Sequence, residues 1–207
     1  MRILGIDTTR KIARLFAYDD NNDHEYYLDI DENIKHSEGL FLYLEKLFCD
    51  VKLKLSDFDV LSVVVGPGSF TGIRVGMSVI KGLNKASNKK VIGVNMFEVV
   101  AKCVKNGYFL LNSTTSSCYY AKITNKQIEL VGVIEKNNIE QMFKDEVLFI
   151  LKEEQNLINL EYNNIVVIDE VWKEYIPTIK QKIDDEDLNV EPYYLQLSQA
   201  ERHLKDE

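Results

Sequence analysis

One glycine-rich stretch constrains the fold of this chain more than any other part of it. Residues 66–76 read Gly-Pro-Gly-Ser-Phe-Thr-Gly-Ile-Arg-Val-Gly; a β-branched run at 60–65 precedes them, and helix-compatible residues continue to Ala86. Glycine and proline end regular structure, and a serine directly after them can cap a helix through its hydroxyl. The stretch therefore predicts a buried strand that ends in a tight turn, followed by a helix capped by Ser69.

The chemistry of this turn is that of an anion site, but it is not a Walker A loop. Unpaired amides and the helix dipole favour negative charge where a helix begins. A Walker A loop ends in Gly-Lys-Ser or Gly-Lys-Thr, whereas Ile73 and Arg74 follow Gly72 here. The lysine that would reach the outer phosphates of a nucleotide is therefore missing.

The helix after the turn is predicted to be apolar over most of its circumference. Its polar stripe is narrow, and its glycines suggest that a second backbone packs closely against it, because glycine costs about 1 kcal/mol relative to alanine inside a helix. The stripe comprises Arg74, Ser78, Lys81 and Lys85, and the glycines are Gly72, Gly76 and Gly82. Two interpretations stay open: a helix enclosed within its own domain, or a helix with one side against another protein chain.

The order of predicted elements indicates an α/β fold that is duplicated. Residues 1–106 read as β-β-β-α-β-α-β-α, which predicts a mixed five-stranded sheet with crossover helices. A second three-strand meander begins near residue 107 and repeats this opening. We therefore predict two domains, 1–106 and 107–207, of which the second is a smaller and degenerate copy.

Composition limits the partners and the compartment. The chain of 207 residues carries a formal net charge of −8, which disfavours unaided binding to nucleic acid. Its cysteines at 49, 103 and 118 form no Cys-x-x-Cys pair, so we expect buried thiols in a reducing cytosol. No apolar run is long enough to span a bilayer, and no leader precedes the first strand. These features predict a cytoplasmic protein without membrane contact.

Several motifs together resemble a known family. The chain is similar to the bacterial TsaB family of tRNA threonylcarbamoyladenosine biosynthesis factors, YeaZ-like and glycoprotease-type proteins of the actin-like (ASKHA, ribonuclease H-like) superfamily. The matching segments, in chain order, are Ile-Leu-Gly-Ile-Asp-Thr-Thr at 3–9, His-Ser at 36–37, the glycine stretch from 66 to 74, Ile-Gly-Val at 92–94, and Pro-Tyr-Tyr-Leu at 192–195. The glycine stretch is the most specific of them.

The resemblance implies a non-catalytic scaffold. TsaB-like proteins pair with a TsaD-type transferase that threonylcarbamoylates the adenosine next to the anticodon of tRNAs reading codons that begin with A. A TsaE-type ATPase joins through the complex, tRNA is contacted indirectly, and the subunit forms a homodimer when alone. The partner contact is made by the helices predicted here at 36–51 and 69–86. The implied interface residues are His36, Leu40, Tyr43, Leu44, Leu47, Phe70, Ile73, Arg74, Met77, Ile80 and Lys81.

The resemblance also implies where a nucleotide would have been bound. An actin-like phosphotransferase needs a carboxylate in each half to hold a metal. The first half offers Asp7, but residues 110–115 of the second half read Leu-Leu-Asn-Ser-Thr-Thr without one. We therefore expect no catalytic residue, no metal and no cofactor beyond a weakly bound or interface-shared nucleotide. Vestigial nucleotide contacts would come from Asp7, Thr8, Thr9, Gly66, Gly68 and Ser69.

Two enzymatic alternatives stay open at this point. The first is an autonomous actin-like nucleotide-dependent kinase or ATPase that uses Asp7 and the glycine turn. The second is a peptidase, for which the chain offers three histidines, His24, His36 and His203, without a His-Glu-x-x-His motif. A pairing of Ser69 with His36 would be needed for nucleophilic catalysis. Neither pattern is typical of an enzyme of these classes.

Overall fold

The computed structural model describes residues 1–31, 36–158, 164–184 and 190–196, and it gives side chains for α1 from Gly39 onward. It divides the chain into two compact units. The first unit comprises Met1–Asn95 and Ile176–Tyr193, and the second comprises Met96–Tyr175 together with the described residues from Tyr194 onward. The N-terminal segment of the first unit ends at residue 95, whereas the sequence predicted a boundary after residue 106. In addition, the segment Ile176–Tyr193, which was predicted to belong to the second domain, belongs to the first unit.

The first unit is built on a mixed five-stranded sheet, as predicted. Its spatial order is β3-β2-β1-β4-β5. β1 and β3 pair antiparallel with β2, while β4 pairs parallel with both β1 and β5. The strands are β1 (Arg2–Asp7), β2 (Arg14–Asp19), β3 (His24–Asp29), β4 (Val60–Gly66) and β5 (Lys90–Asn95).

Two long helices cover one face of this sheet. They are α1 (His36–Val51) and α2 (Phe70–Ser87). Their core positions recur at helical spacing and pack against apolar residues of β1 and β4, which explains why these segments fold as amphipathic helices. The core residues are Leu40, Leu44 and Leu47 of α1 and Ile73, Met77 and Ile80 of α2, each no more than 5% exposed.

This burial corrects the predicted partner interface. Those same six residues were among the interface residues that the resemblance implied, on the helices predicted at 36–51 and 69–86. The arcs instead belong to the core of the first unit itself, which encloses them. Leu40, Leu44, Leu47, Ile73, Met77 and Ile80 therefore stabilise the fold and offer no surface to a partner.

The second unit repeats the sheet of the first strand for strand. Its order is β10-β9-β6-β7-β8, with the antiparallel meander on one side and the parallel pairs on the other. The actin-like duplication predicted from the sequence is confirmed. The strands are β6 (Asn106–Asn112), β7 (Ser117–Thr124), β8 (Gln127–Glu135), β9 (Leu148–Leu151) and β10 (Ile165–Ile168).

The second unit has as many described strands as the first, but its described helix after β8 is shorter than α1. In the first unit, helices of 16 and 18 residues follow β3 and β4. Among the described residues of the second unit, the four-residue α4 (Ile139–Met142) follows β8, and α5 (Gln155–Ile158) follows β9. α3 (Met96–Cys103) also belongs to this unit.

The late segment that belongs to the first unit begins in α6 (Tyr175–Lys182), which follows a 3₁₀ turn at Val171–Glu174. The ammonium of Lys180 lies 3.8 Å from the centroid of the Tyr18 ring. Further on, the amide of Tyr193 donates to the carbonyl of Val65 at 2.8 Å. The predicted terminal helix lies outside the described residues.

Candidate functional site

The turn after β1 carries the one carboxylate that the sequence singled out. Asp7 is fully buried at the end of the strand. Its Oδ1 accepts from the amide of Thr9 at 2.9 Å and from the Thr9 hydroxyl at 2.7 Å. Its Oδ2 accepts from Nη2 of Arg10 at 2.8 Å, and the Arg10 side chain is itself only 3% exposed. The negative charge of Asp7 is therefore balanced by a buried cation of the same turn.

The beginning of α2 is hydrogen-bonded to this turn. The Thr8 hydroxyl donates to the carbonyl of Gly72 at 2.7 Å, and the amide of Ser69 donates to the carbonyl of Thr9 at 2.7 Å. Ser69 is the N-cap of α2, as predicted, since its hydroxyl oxygen accepts from the amide of Gly72 at 3.2 Å. Two of the amides that could have faced an anion are thus already bonded within the protein.

The glycines of the stretch are explained by this contact. A Cβ at Gly72 would overlap the carbonyl oxygen of Thr8, and one at Gly68 would overlap that of Thr9. Gly68 also has a φ of +156°, a conformation that other residues rarely adopt. The second backbone that the glycines of α2 predicted is therefore the β1 turn of this same chain. Gly82 differs, because nothing lies within 4 Å of the position of its Cβ.

The corresponding place in the second unit has no carboxylate at the end of its central strand. β6 ends at Asn112, whose backbone amide donates to Oε2 of the buried Glu154 at 2.6 Å. The turn that follows is stabilised by a hydrogen bond within it, since the Thr114 hydroxyl oxygen accepts from the amide of Ser117 at 3.0 Å. Glu154 follows β9 and serves here as an acceptor for the backbone.

A metal-bound nucleotide does not fit these residues. Asp7, Thr8, Thr9, Gly66, Gly68 and Ser69 are brought to one edge of the first unit, but Asp7 is paired with Arg10 and the amide of Ser69 is bonded to Thr9. Within the described part of the chain, no group of three or more histidine, cysteine, aspartate or glutamate residues could hold a metal ion. His24 is exposed and packs edge-on against Tyr26, His203 lies outside the described residues, and the side chain of His36 is not described.

The outer face of α1 is a second candidate site. Phe41 and Leu42 are 58% and 62% exposed, and Tyr43 beside them is half-buried. The sequence analysis assigned Tyr43 to a partner interface but missed Phe41 and Leu42. Helical spacing could have found them, because they directly follow the core position Leu40 and precede the core position Leu44.

The outer face of α2 is polar and basic. Of its predicted interface residues, Arg74 and Lys81 are exposed and Phe70 is half-buried. The Arg74 guanidinium lies 5.7 Å from the centroid of the Phe70 ring, within the range of a cation–π contact. On α1, the Lys46 ammonium lies 5.9 Å from the Tyr43 ring in the same way. Each helix therefore places a cation beside an aromatic ring at its surface.

The cysteines differ from the expectation of three buried thiols. Cys118 is buried, but Cys49 and Cys103 are exposed. Burial raises the pKa of the Cys118 thiol to about 11.

Among the described helices, none is long and apolar enough to cross a membrane.

The fold and the Asp7 turn define a class of protein. They form a duplicated, actin-like α/β protein in which the carboxylate at the end of β1 is paired with Arg10 of the same turn. Comparisons agree on the fold: a Pseudomonas aeruginosa protein described as similar to the peptidase YeaZ superposes with a TM-score of 0.70 at 13% identity, covering 94% of this chain and 99% of its own. A Bacteroides thetaiotaomicron protein with an actin-like ATPase fold gives a TM-score of 0.50 at 8% identity, with coverages of 85% and 95%.

Sequence comparisons identify the family. The model described as TsaD, tRNA N6-adenosine threonylcarbamoyltransferase, matches residues 32–175, and the chain belongs to this family. The predicted likeness to TsaB is also confirmed. The tRNA threonylcarbamoyladenosine biosynthesis protein TsaB of Escherichia coli is 28% identical over 109 residues, which are 52% of this chain and 46% of that protein. The TsaB of Buchnera aphidicola is 22% identical over 199 residues, 87% of this chain and 89% of that protein.

Proposed function

We propose that this chain is the non-catalytic subunit of a tRNA threonylcarbamoyladenosine synthesis complex, in which a TsaD-type transferase modifies the adenosine 3′ to the anticodon. The observation that carries the proposal is membership of the TsaD family together with relatives named as TsaB. The alignment to the Escherichia coli relative spans less than half of its length. The activity, substrates and partners named here are therefore proposals.

The chemistry of the two strand ends supports a subunit without catalytic residues. Asp7 is neutralised by Arg10, and Asn112 ends the equivalent strand of the second unit. Magnesium binds to carboxylate oxygens and needs them free. The chain alone therefore binds no Mg-nucleotide tightly, and a nucleotide in the complex is held by the partner or shared with it.

The outer face of α1 is the partner-binding surface in this proposal. Adjacent exposed phenylalanine and leucine side chains are of the kind that complexes bury at the centre of an interface. Phe41 and Leu42 form this centre, with Tyr43 at their side. Lys46, Arg74 and Lys81 supply cations for a polar rim. The transferase is expected to present an apolar patch with carboxylates at its edge.

The remaining partners follow from the same assembly. With a net charge of −8, the chain contacts tRNA through the transferase and not directly. A TsaE-type ATPase joins through the complex, and the protein acts in the cytoplasm. In the absence of the transferase, the α1 surface is covered by a second copy of the chain, which makes a homodimer.

Reconstitution with purified proteins tests the proposed function. Threonylcarbamoyl-adenylate and unmodified tRNA are given to this chain alone, to the TsaD-type transferase of the same organism alone, and to both, and modified adenosine is counted by mass spectrometry. We expect none with the chain alone and more with both proteins than with the transferase alone. Modification or Mg-ATP hydrolysis by the chain alone would contradict the proposal and favour an autonomous enzyme.

A further inference from the structure

The sheet of the second unit has one face that its described helices cover only in part. Side chains two residues apart on a strand share a face, so paired residues of β6, β7 and β8 form rows across the sheet. Leu110 pairs with Tyr120, and both belong to one core with Phe143, the residue directly after α4. The ring centroids of Tyr120 and Phe143 lie 5.5 Å apart, and all three side chains are at most 8% exposed. This row is therefore covered.

The next row on the same face is accessible, and we call it the open row. It consists of Tyr108, Lys122 and Leu130, which the strand register places side by side. Tyr108 and Lys122 are half-buried, and Leu130 is 51% exposed. The helix after the third strand has 16 residues in the first unit but four in the second, which makes α4 about 18 Å shorter. The open row therefore has room for a helix from another molecule.

The outer face of α1 has the complementary property, because it is an apolar helix face without a sheet against it. Phe41 and Leu42 are 58% and 62% exposed. Among the described helices of eight residues or more, α1 is the one that exposes large apolar side chains. A helix in need of a cover and a sheet row in need of a helix thus occur on the same chain.

The charges beside the two surfaces are also compatible. Glu45 and Lys46 are exposed one helical turn after Phe41 and Leu42, so α1 carries one anion and one cation beside its apolar centre. At the open row, the Lys122 ammonium lies 3.0 Å from Oε2 of Glu129. Each surface can therefore offer a charge of either sign to the other.

We propose that, in the homodimer, the outer face of α1 of one copy packs on the open row of the other copy. Phe41 and Leu42 then cover Tyr108 and Leu130. A two-fold axis makes this contact twice, so two small patches on each copy contribute to one interface. The inference rests on the homodimer of the proposed function and names the surface that α1 meets there. The transferase competes for α1, whereas the open row serves self-association alone.

Chemical crosslinking of the full chain tests this contact. Cys49→Ser/Cys103→Ser removes the exposed thiols and leaves Cys118 buried. Leu42→Cys is added to one sample of this chain and Leu130→Cys to another, and a short bismaleimide is supplied. The mixture should give crosslinked dimers at several times the yield from either chain alone, because only the mixture places a thiol on both sides of the contact.

A charge in the open row gives a second, independent test. Leu130→Asp should weaken the dimer at least about tenfold in sedimentation velocity, because it buries a carboxylate against an apolar helix face. Val166→Asp is the matched control and should dimerise like wild type, since Val166 is 44% exposed on β10, at the opposite edge of the same sheet. Circular dichroism establishes that both variants are folded. If Leu130→Asp does not fold, the crosslinking yields decide.

Two results would overturn the inference. One is efficient crosslinking of Leu42→Cys to itself with no gain on mixing, which indicates α1 against α1. The other is a folded Leu130→Asp that dimerises like wild type. A wild type that stays monomeric but binds the transferase also overturns it and leaves the rest of the proposed function intact. Loss of transferase binding by the wild type is a separate result, which contradicts the proposed function itself.

Discussion

At the scale of single residues, Gly72 shows how closely α2 approaches the β1 turn. A methyl group there would meet the carbonyl of Thr8, so Gly72→Ala should lower the free energy of unfolding by about 1–3 kcal/mol. Gly82 is the matched control in the same helix, where the added methyl group meets nothing. Gly82→Ala should raise the free energy of unfolding by about 0.5–1 kcal/mol. Urea unfolding of both variants checks the pair, and equal effects would contradict the packing described here.

A second residue-scale prediction concerns the thiols. Burial raises the pKa of Cys118 to about 11, so at pH 8 only about one Cys118 in a thousand is a thiolate. Cys118 should stay unmodified by a disulfide reagent until the protein unfolds. Cys49 is exposed and should react with the reagent as soon as the two are mixed. Cys49→Ser/Cys103→Ser isolates Cys118 for this measurement. Rapid labelling of that variant in the native state would contradict its burial.

Residue chemistry was only partly predictable from the sequence. Ser69 could be recognised as a cap because capping depends on neighbours in the chain. The pairing of Asp7 with Arg10 was missed although the two are close in sequence, because it depends on the conformation of the turn after β1, which brings a side chain three residues away back onto the carboxylate. The burial of Cys118 and the exposure of Cys49 depend on tertiary packing, which composition does not reveal.

At the scale of elements, α1 has one buried face and one exposed face, and the exposed face is the partner-binding surface proposed above. Leu44 is 3% exposed, so Leu44→Ala should lower the free energy of unfolding by about 2–5 kcal/mol. Phe41 is 58% exposed in the single chain, so Phe41→Ala should change the free energy of unfolding of the monomer, measured at a protein concentration too low for the homodimer, by no more than about 0.5 kcal/mol. Denaturant unfolding of the two variants measures the difference. Similar losses for both would show that the outer face is packed in the folded chain.

The elements themselves were predicted well, and their outward faces were not. α1 spans residues 36–51, as predicted, and β4 begins at Val60, where the β-branched run begins, because a strong apolar pattern fixes the existence and the type of an element. Two interpretations of the apolar surface of α2 stayed open because the sequence does not show how much sheet lies beneath a helix. In the structure, Leu44 and Met77 enter one shared core.

At the scale of the whole molecule, the duplication explains what was kept and what was reduced. Both units keep five strands in the same order, while the helix after β8 has four residues where α1 has 16. A helix that only covers its own sheet can be shortened, whereas α1 and α2 keep their full length. The full length of α1 is what its proposed role as the partner-binding surface requires.

The homodimer is a prediction at this scale. The chain alone should sediment as a dimer at micromolar concentration, and Phe41→Asp should sediment as a monomer because it places a charge in the shared surface. Sedimentation velocity of both proteins measures this. A dimer that survives Phe41→Asp would place the self-contact elsewhere.

The most direct test of the account is the affinity of this chain for the TsaD-type transferase, measured by isothermal titration calorimetry. We expect wild type to bind, Phe41→Asp to bind at least about 100-fold more weakly, and Leu130→Asp to bind like wild type. Leu130 is the matched control, since it is 51% exposed and lies on β8 of the second unit. Undiminished binding by Phe41→Asp would contradict the account.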